Sequence, residues 1–320
     1  MIRSISVIIP NFNGKELLAE NLPHIIKSLK GIPQSEIIVV DDASTDNSKK
    51  FLKKNYPDIK IIENKVNIGF GASVNAGLNI AKHDLLFLIN NDIKPDKDYI
   101  SSTCEYFEDP DTFGVMGVIK DELKEKILEG IKRPKMSAAG LKYQDIRLPY
   151  IETFPDKVYT LYICGGNAIV DRRKMLELKG FQDIYHPFYQ EDVDLSIRAW
   201  LSGWKLYFNS KAKCYHKHSA TIKKYYGADF IKVISKRNRL ILSYLYLTGN
   251  HRIIFFSITY LKSLYYRFLF VFNQSAVYPA YKEFFGKLRY LKNNHPPMNQ
   301  VETIGHVIKK IQKNIRMNLK

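Results

Sequence analysis

Along the first third of the chain, short apolar runs alternate with stretches in which apolar residues return every three or four positions. Ser4-Ile5-Ser6-Val7-Ile8-Ile9 is rich in β-branched residues, stops at Pro10 and reads as a buried strand. Leu18, Leu22, Ile25, Ile26 and Leu29 then follow helical spacing between Glu16 and Lys30. Ile37-Ile38-Val39-Val40 is a second strand ending in Asp41-Asp42, and Asp46-Asn47-Ser48 supplies N-cap chemistry for a helix to about Asn55. Lys60 to Glu63 predicts a third strand, Gly71 to Ala81 a third helix and Leu85 to Ile89 a fourth strand. Strands that are apolar throughout, separated by helices, predict an α/β fold with a parallel sheet covered on both faces. Ligands of such sheets bind beyond the carboxyl ends of the strands. That places the chemistry at Pro10–Gly14, Asp41–Asp46, Asn64–Gly71 and Asn90–Asp92.

Further on the pattern weakens. Lys120 to Pro155 is polar and weakly periodic, which predicts loops and irregular strands over the site. Order returns with a strand from Tyr159 to Val170 and a helix from Asp192 to Ser202. The last hundred residues differ in kind. Phe230, Val233, Ile234, Leu240, Ile241, Tyr244 and Leu245 share one helical face. Ile253 to Phe272 has a wide apolar, aromatic face and a narrow polar stripe through Thr259, Lys262, Ser263 and Tyr266. After Pro296-Pro297, a final helix sets Ile304, Val307, Ile308, Ile311 and Ile315 on one side, with Lys309, Lys313, Arg316 and Lys320 largely opposite. Basic amphipathic helices with abundant Tyr and Phe carry the signature of helices lying in a membrane interface. The expected organisation is an α/β domain over residues 1–220 and a helical tail over 221–320.

Composition sharpens that division. The chain has 320 residues, 45% of them hydrophobic, which suits a globular protein rather than a disordered one. Lys and Arg number 49 against 32 Asp and Glu, a net charge of +17. From Lys211 onward there are 21 basic and 3 acidic residues, a balance of +18; residues 1–210 hold 28 and 29, a balance of −1. The excess therefore belongs to the tail, where it points to an anionic partner, a membrane surface or nucleic acid. The apolar faces beside those charges favour the membrane, so no nucleic acid is expected. Cys104, Cys164 and Cys214 are few, odd in number and far apart, which argues against a disulfide framework and a cysteine zinc site. No secretory signal and no uncharged apolar run of spanning length are visible, so the expected location is cytoplasmic.

Five clusters carry candidate chemistry. Asp41, Asp42 and Asp46 follow the second strand, where carboxylates can accept from a ribose or a base N–H, although turns and N-caps favour the same residues. In Asn90-Asn91-Asp92 one carboxylate can coordinate a hard cation such as Mg²⁺ or Mn²⁺, given further ligands from elsewhere. Asn67-Ile68-Gly69-Phe70-Gly71, with Asn75 and Gly77, allows close backbone approach to a phosphate or sugar, but Val74 breaks a dinucleotide fingerprint. Glu191-Asp192-Val193-Asp194 opens a helix. One of its carboxylates can act as a general base, and another can cap the helix or pair with Arg198. His216 and His218 can each serve as a neutral imidazole ligand or a structural residue.

Taken in order, Val7–Gly14, Val39–Asp46, Asn67–Gly77, Leu88–Asp92, Gly165-Gly166-Asn167-Ala168 and Glu191–Arg198 resemble the family 2 glycosyltransferases, and within them a rhamnosyltransferase-like branch. The resemblance covers about residues 4–220. It implies a GT-A fold and inverting transfer from a nucleoside-diphosphate sugar in one displacement. It also implies roles. Asp42 would contact the nucleobase, and Pro10, Asn11, Asn13, Asn67, Asn75 and Asn90 would line the nucleotide-sugar site. Asp92 would bind Mg²⁺ or Mn²⁺ as the last aspartate of the family's DxD motif, with Asn90 standing where the first aspartate usually falls. His216 would complete the metal shell, since His216-x-x-Ser219 fits the family better than His218 does. Asp192 would be the base that deprotonates the acceptor hydroxyl. The implied partners are a nucleoside-diphosphate sugar, a glycan or lipid-linked acceptor, and the inner face of the cell membrane. Two other readings compete: a nucleotidyltransferase acting on a sugar phosphate, which would need a glycine-rich basic loop after the first strand, and a nucleic-acid-binding protein using the tail.

Overall fold

The structure, a computed structural model, describes residues 4–124, 126–137, 140–147, 151, 154–216, 225–273, 275–294, 296 and 298–318. Its frame is a twisted sheet between two layers of helices. Strands β1 (Ile5–Asn11), β2 (Ser35–Asp41), β3 (Lys60–Glu63) and β4 (Leu85–Ile89) run parallel in the order β3-β2-β1-β4. Helices α1 (Lys15–Ser28), α2 (Ser48–Asn55) and α3 (Phe70–Ile80) make the crossovers. Alternate residues of each strand face opposite sides. Ile8, Ile38, Val40, Leu86 and Leu88 share one apolar cluster with Val74 and Leu78 of α3. Val7, Ile9, Val39, Phe87 and Ile89 share the other with Leu18, Leu22 and Ile25 of α1. Burial on both faces is why these strands are apolar without alternation.

Beyond β4 the sheet becomes mixed. Short β5 (Ile93–Pro95) and helix α4 (Tyr99–Cys104) lead to β6 (Thr112–Asp121) and β7 (Ile127–Glu129). Strands β8 (Ile131–Ser137) and β9 (Gly140–Ile146) pair only with each other, as a two-stranded antiparallel sheet. The single strand expected over Tyr159–Val170 is two: β10 (Val158–Tyr159) at the sheet edge and β11 (Asn167–Asp171) against β4. The Gly165-Gly166 turn separates them. Helices α5 (Arg172–Glu177) and α6 (Glu191–Leu201) precede β12 (Lys205–His216), which completes the order β4-β11-β6-β12-β10. Strands β6 and β12 have no counterpart in the sequence reading; β6 is interrupted by Gly114 and Gly117, and β12 carries Lys205, Lys211 and Lys213.

The tail forms α7 (Ala228–Tyr246), α8 (Gly249–Val271), α9 (Tyr278–Asn293) and α10 (Ile304–Asn318). Its helices do not share one fate. The isoleucine face of α10, expected to lie in a membrane interface, is buried: Val307, Ile311 and Ile315 are fully covered where α10 crosses β8, β10 and α6. Gln312 Nε2 donates to Pro134 O, and Tyr159 N donates to Asn314 Oδ1, fixing that contact. Helix α7 packs on β9 and α9 and joins the same core through Leu240, Ile241 and Leu245. Helix α8 is different. Ile253, Leu261, Phe268 and Val271 are 62–71% exposed. No helix among the described residues is long and apolar enough to cross a membrane. The boundary near residue 220, with His218 and Ser219, lies outside the described residues.

Candidate active site

The carboxyl ends of β1, β2 and β4 meet in one polar rim. Asn11 is buried; its Nδ2 donates to Asp41 Oδ1 (3.1 Å) and Ser44 Oγ (3.3 Å), while its Oδ1 accepts from Asn91 Nδ2 (2.8 Å). Pro10 continues β1 opposite Val40. Asn13 has a left-handed backbone (φ 49°), and its Oδ1 accepts from the backbone N–H groups of Thr45 (2.7 Å) and Asp46 (3.3 Å). The loops after β1 and β2 are thus laced to each other by side chain to backbone bonds, as short polar residues favour.

Asp42 is 4% exposed, and its carboxylate orders the next loop. It accepts from Asn64 Nδ2, Ile68 N and Gly69 N, each at 2.9 Å. A carboxylate has about four acceptor positions, so Oδ2 keeps room for a ligand N–H. Gly69 has φ 83°, and a Cβ there would meet His186 Nδ1 at 2.9 Å, so a side chain is excluded twice over. Asn67 is exposed and lines a cavity of about 420 Å³ with Ile68, Gly71, Tyr185, His186 and Glu191. Asn75 stands apart from the rim. Its amide pairs with the backbone of Phe181, donating to O (2.8 Å) and accepting from N (2.9 Å), which tethers α3 to the segment before α6.

At the end of β4, Asp92 Oδ2 lies 3.2 Å from His216 Nε2 at the end of β12. The antiparallel pairing of β5 with β12 brings residues 124 positions apart together, with Ile93 opposite His216. Burial disfavours a charged His216. The bond to Asp92 and the carboxylates of Asp92, Asp121 and Glu129 outweigh it and raise its pKa above the usual histidine value. One carboxylate and one imidazole suit a Mg²⁺ or Mn²⁺ ion that takes its remaining ligands from substrate phosphates and water. Among the described residues no group of three or more His, Cys, Asp or Glu forms a complete protein cage. The pair therefore fits a metal shared with substrate.

The Gly165-Gly166 turn borders this rim. A Cβ on Gly166 would meet the Asn90 side chain at 2.5 Å, and Asn90 N donates to Gly166 O (3.1 Å). The missing side chain of Gly166 thus lets this turn close on Asn90 beyond β4. Asp192 Oδ1 accepts from the N–H of Val193 at 2.8 Å, at the start of α6. Asp192 is half-buried, and desolvation of its carboxyl raises its pKa above the ordinary carboxylate range, partly opposed by the Val193 N–H. Glu191 is raised too, by burial and by Asp192, and its Oε2 has no hydrogen-bond partner among the described residues. Asp194 turns the other way. Fully buried, it accepts from Arg198 Nε (2.8 Å), Tyr185 Oη (3.0 Å) and Tyr246 Oη (2.6 Å), the i,i+4 pairing open at the sequence level.

Sequence reasoning missed the polar wall supplied by β7–β9. Buried Lys132 pairs with Glu129 and with Asp145 (3.0 Å) and sits 5.4 Å from the Tyr162 ring centre. Glu129 lies within electrostatic reach of both Asp192 and His216. The available signal was a Glu and a Lys three apart in a segment otherwise read as loop.

Comparison with known proteins gives the family and the fold. The model of glycosyl transferase family 2 matches residues 6–178, ending before Glu191. The chain is 37% identical over 102 residues to a poly(ribitol-phosphate) beta-glucosyltransferase of Bacillus spizizenii, covering 31% of this chain and 15% of that protein. It is 38% identical over 98 residues to an undecaprenyl-phosphate 4-deoxy-4-formamido-L-arabinose transferase of Proteus mirabilis, covering 29% and 30%. The match thus spans less than a third of either relative. GalNAc-T7, solved with UDP, GalNAc and Mn²⁺, superposes with a TM-score of 0.64 at 16% identity, over 93% of this chain and 58% of that one. The fold is therefore GT-A.

Proposed function

Because this chain belongs to glycosyl transferase family 2, we propose that it moves a sugar from a nucleoside-diphosphate sugar to a hydroxyl of a glycan or lipid-linked acceptor in cell-surface polysaccharide synthesis, with inversion. The observation that carries this reading is the Asp92–His216 pair, 3.2 Å apart at the sheet end that also bears Asn11 and Asn91. It supports a diphosphate site there, and the raised pKa of Asp192 at the start of α6 supports a base.

In the displacement the acceptor oxygen attacks the anomeric carbon as the bond from that carbon to the diphosphate oxygen breaks. The hydroxyl proton passes to the Asp192 carboxylate, whose raised pKa suits it to that task. Asp92 and His216 would hold Mg²⁺ or Mn²⁺, which supplies charge neutralisation for the departing diphosphate. The free acceptor position on Asp42 suits a nucleobase N–H. Asn11 and Asn13 hold the loops around it.

The acceptor class follows the relatives, whose names specify a polymer phosphate and a lipid phosphate. The exposed apolar side of α8, with Arg252, Lys262 and Arg267 on the same helix, suits contact with the anionic inner face of the cell membrane. A cytoplasmic, peripheral location accords with that contact.

A thermal-shift screen of nucleoside-diphosphate sugars with Mn²⁺ tests the reaction. A ligand at a hundred times its Kd stabilises the native state by about 2.7 kcal/mol. One nucleoside class should raise Tm and lose the effect in excess chelator. A flat response to every donor would overturn the reading.

A further inference from the structure

The loop that delivers Glu191 and Asp192 is held by a residue far away in the tail. Tyr189 (φ 71°) and Gln190 (φ 79°) are consecutive non-glycine residues in the left-handed region, just before α6. Such residues seldom adopt this conformation, and two in a row persist only where the surroundings dictate it. Here they come from α7. Asn238, fully buried, aims its Nδ2 at three carbonyls of this loop: Tyr185 O (2.6 Å), Phe188 O (2.9 Å) and Tyr189 O (2.9 Å). Its two amide hydrogens are shared among three acceptors, so the site is fully used. Next to it, Arg237 Nη2 donates to His186 O (2.5 Å) and Nη1 bonds Glu283 (2.9 Å). Phe230 and Tyr226 pack edge-on against Phe188. The last turn of α7 then grips α6 through Tyr246 and Asp194.

This exceeds what fold stability asks of a tail helix. Apolar packing by Leu240, Ile241 and Leu245 already fastens α7 to the core. Asn238 and Arg237 of the same helix converge on the segment from Tyr185 to Tyr189, whose carbonyls would otherwise lack these donors. That segment ends three residues before Asp192.

We propose that Asn238, assisted by Arg237, is a positioning residue that fixes the left-handed Tyr189–Gln190 turn and so sets the first turn of α6, which carries Asp192. It rests on the reading of Asp192 as the base. The tail thereby belongs to the catalytic machinery as well as to any surface it touches.

The test compares Asn238→Ala with Ile241→Ala, a core truncation on the same helix that touches no loop carbonyl. Three quantities are read in each: Tm, the affinity for UDP and for GDP with Mn²⁺, and kcat with the donor found by screening. Both variants lower Tm. Only Asn238→Ala should lower kcat, by about 10–100-fold, the scale for misplacing a reacting group by an ångström or less. Nucleotide affinity should stay within about threefold. The acid limb of its pH profile should move to lower pH, because a loosened loop admits water to Asp192. Amide hydrogen exchange over residues 185–192 should quicken in Asn238→Ala and not in Ile241→Ala. That readout stands even if no donor is found, which would count against the reaction and not against the strut. Should Asn238→Ala fail to fold, Arg237→Met removes the bonds to His186 O, Glu283 and Asn238 Oδ1 but leaves the Asn238 amide donors in place, and should show the same pattern more weakly. Equal kcat losses in the two helix variants, or unchanged exchange in the loop, would overturn the proposal.

Discussion

On the β1–β4 rim, the bonds that shape the site join neighbouring strand-end loops: Asn13 to Thr45 and Asp46, Asn11 to Asp41 and Asn91, Asp42 to Ile68 and Gly69. On the opposite wall, α6 is placed by partners scattered over the whole chain: Tyr185 and, through Arg198, the carbonyls of Leu178 and Gly180 beside it, Asn238 and Tyr246 behind. The first arrangement suits a site that recognises a constant ligand part, since neighbouring loops hold one another in place. The second couples the base to the packing of the tail. Perturbing the wall from behind should therefore change chemistry and stability, while perturbing the rim should change binding.

The largest expected effect on stability lies behind the wall. Asp194→Ala leaves the Arg198 guanidinium buried without its carboxylate and frees two tyrosine hydroxyls. Removing one partner of a buried pair costs roughly 3–5 kcal/mol, measurable by denaturant unfolding. A loss below about 1 kcal/mol would mean that the wall is not fastened there. Next comes the contrast within the tail. Ile311→Ala on α10 should cost about 2–5 kcal/mol as a core truncation. Leu264→Ala on α8 should stay within about 0.5 kcal/mol of wild type while reducing flotation with anionic vesicles. Equal costs at the two sites would erase the distinction between a buried and an exposed helix face.

These two helices also show where the sequence stops being legible. Both carry broad apolar sides next to lysines and arginines, and that pattern states that a face is covered without saying by what. Ile304 to Ile315 is covered by β8, β10 and α6; on α8 Phe255 and Thr259 are buried, while Ile253, Leu261, Leu264 and Phe268 stay exposed. The rim was readable because its residues act within a few positions of the strand that carries them. The strand-end carboxylates Asp41, Asp42, Asp46 and Asp92 stand out for that reason, whereas the choice of Asp42, Asp192 and His216 for particular roles comes from the family resemblance. Asn238, Glu129 and Lys132 do not stand out, since their partners lie at sequence separations that no local pattern encodes. Asn75 was read as a ligand contact because it sits in a glycine-rich block; its amide is instead committed to the Phe181 backbone. Strands β6 and β12 were hidden by glycines and lysines on positions that only the assembled sheet explains.

The smallest expected effect is a dependence on pH. The folded state raises the pKa of Asp192 and Glu191 above their unfolded values, by burial. Their neutral forms are favoured by folding, so this contribution to stability is complete below the unfolded pKa and is lost as pH rises through the folded one. Wild type should therefore lose stability relative to Asp192→Asn across that window. Turnover should run the other way, falling as pH drops through the raised pKa of the base. Parallel unfolding curves for the two proteins over that range would contradict the burial of the carboxyl.

The division between a binding rim and a reacting wall is tested most directly by Asp192→Asn in two assays run side by side. Calorimetry with the identified nucleotide and Mn²⁺ should give an affinity within about twofold of wild type. Turnover should fall by at least about 10²–10⁴-fold, the contribution of a positioned base. Weakened nucleotide binding, or turnover that survives the substitution, would remove Asp192 from the base role and with it the separation of the two halves.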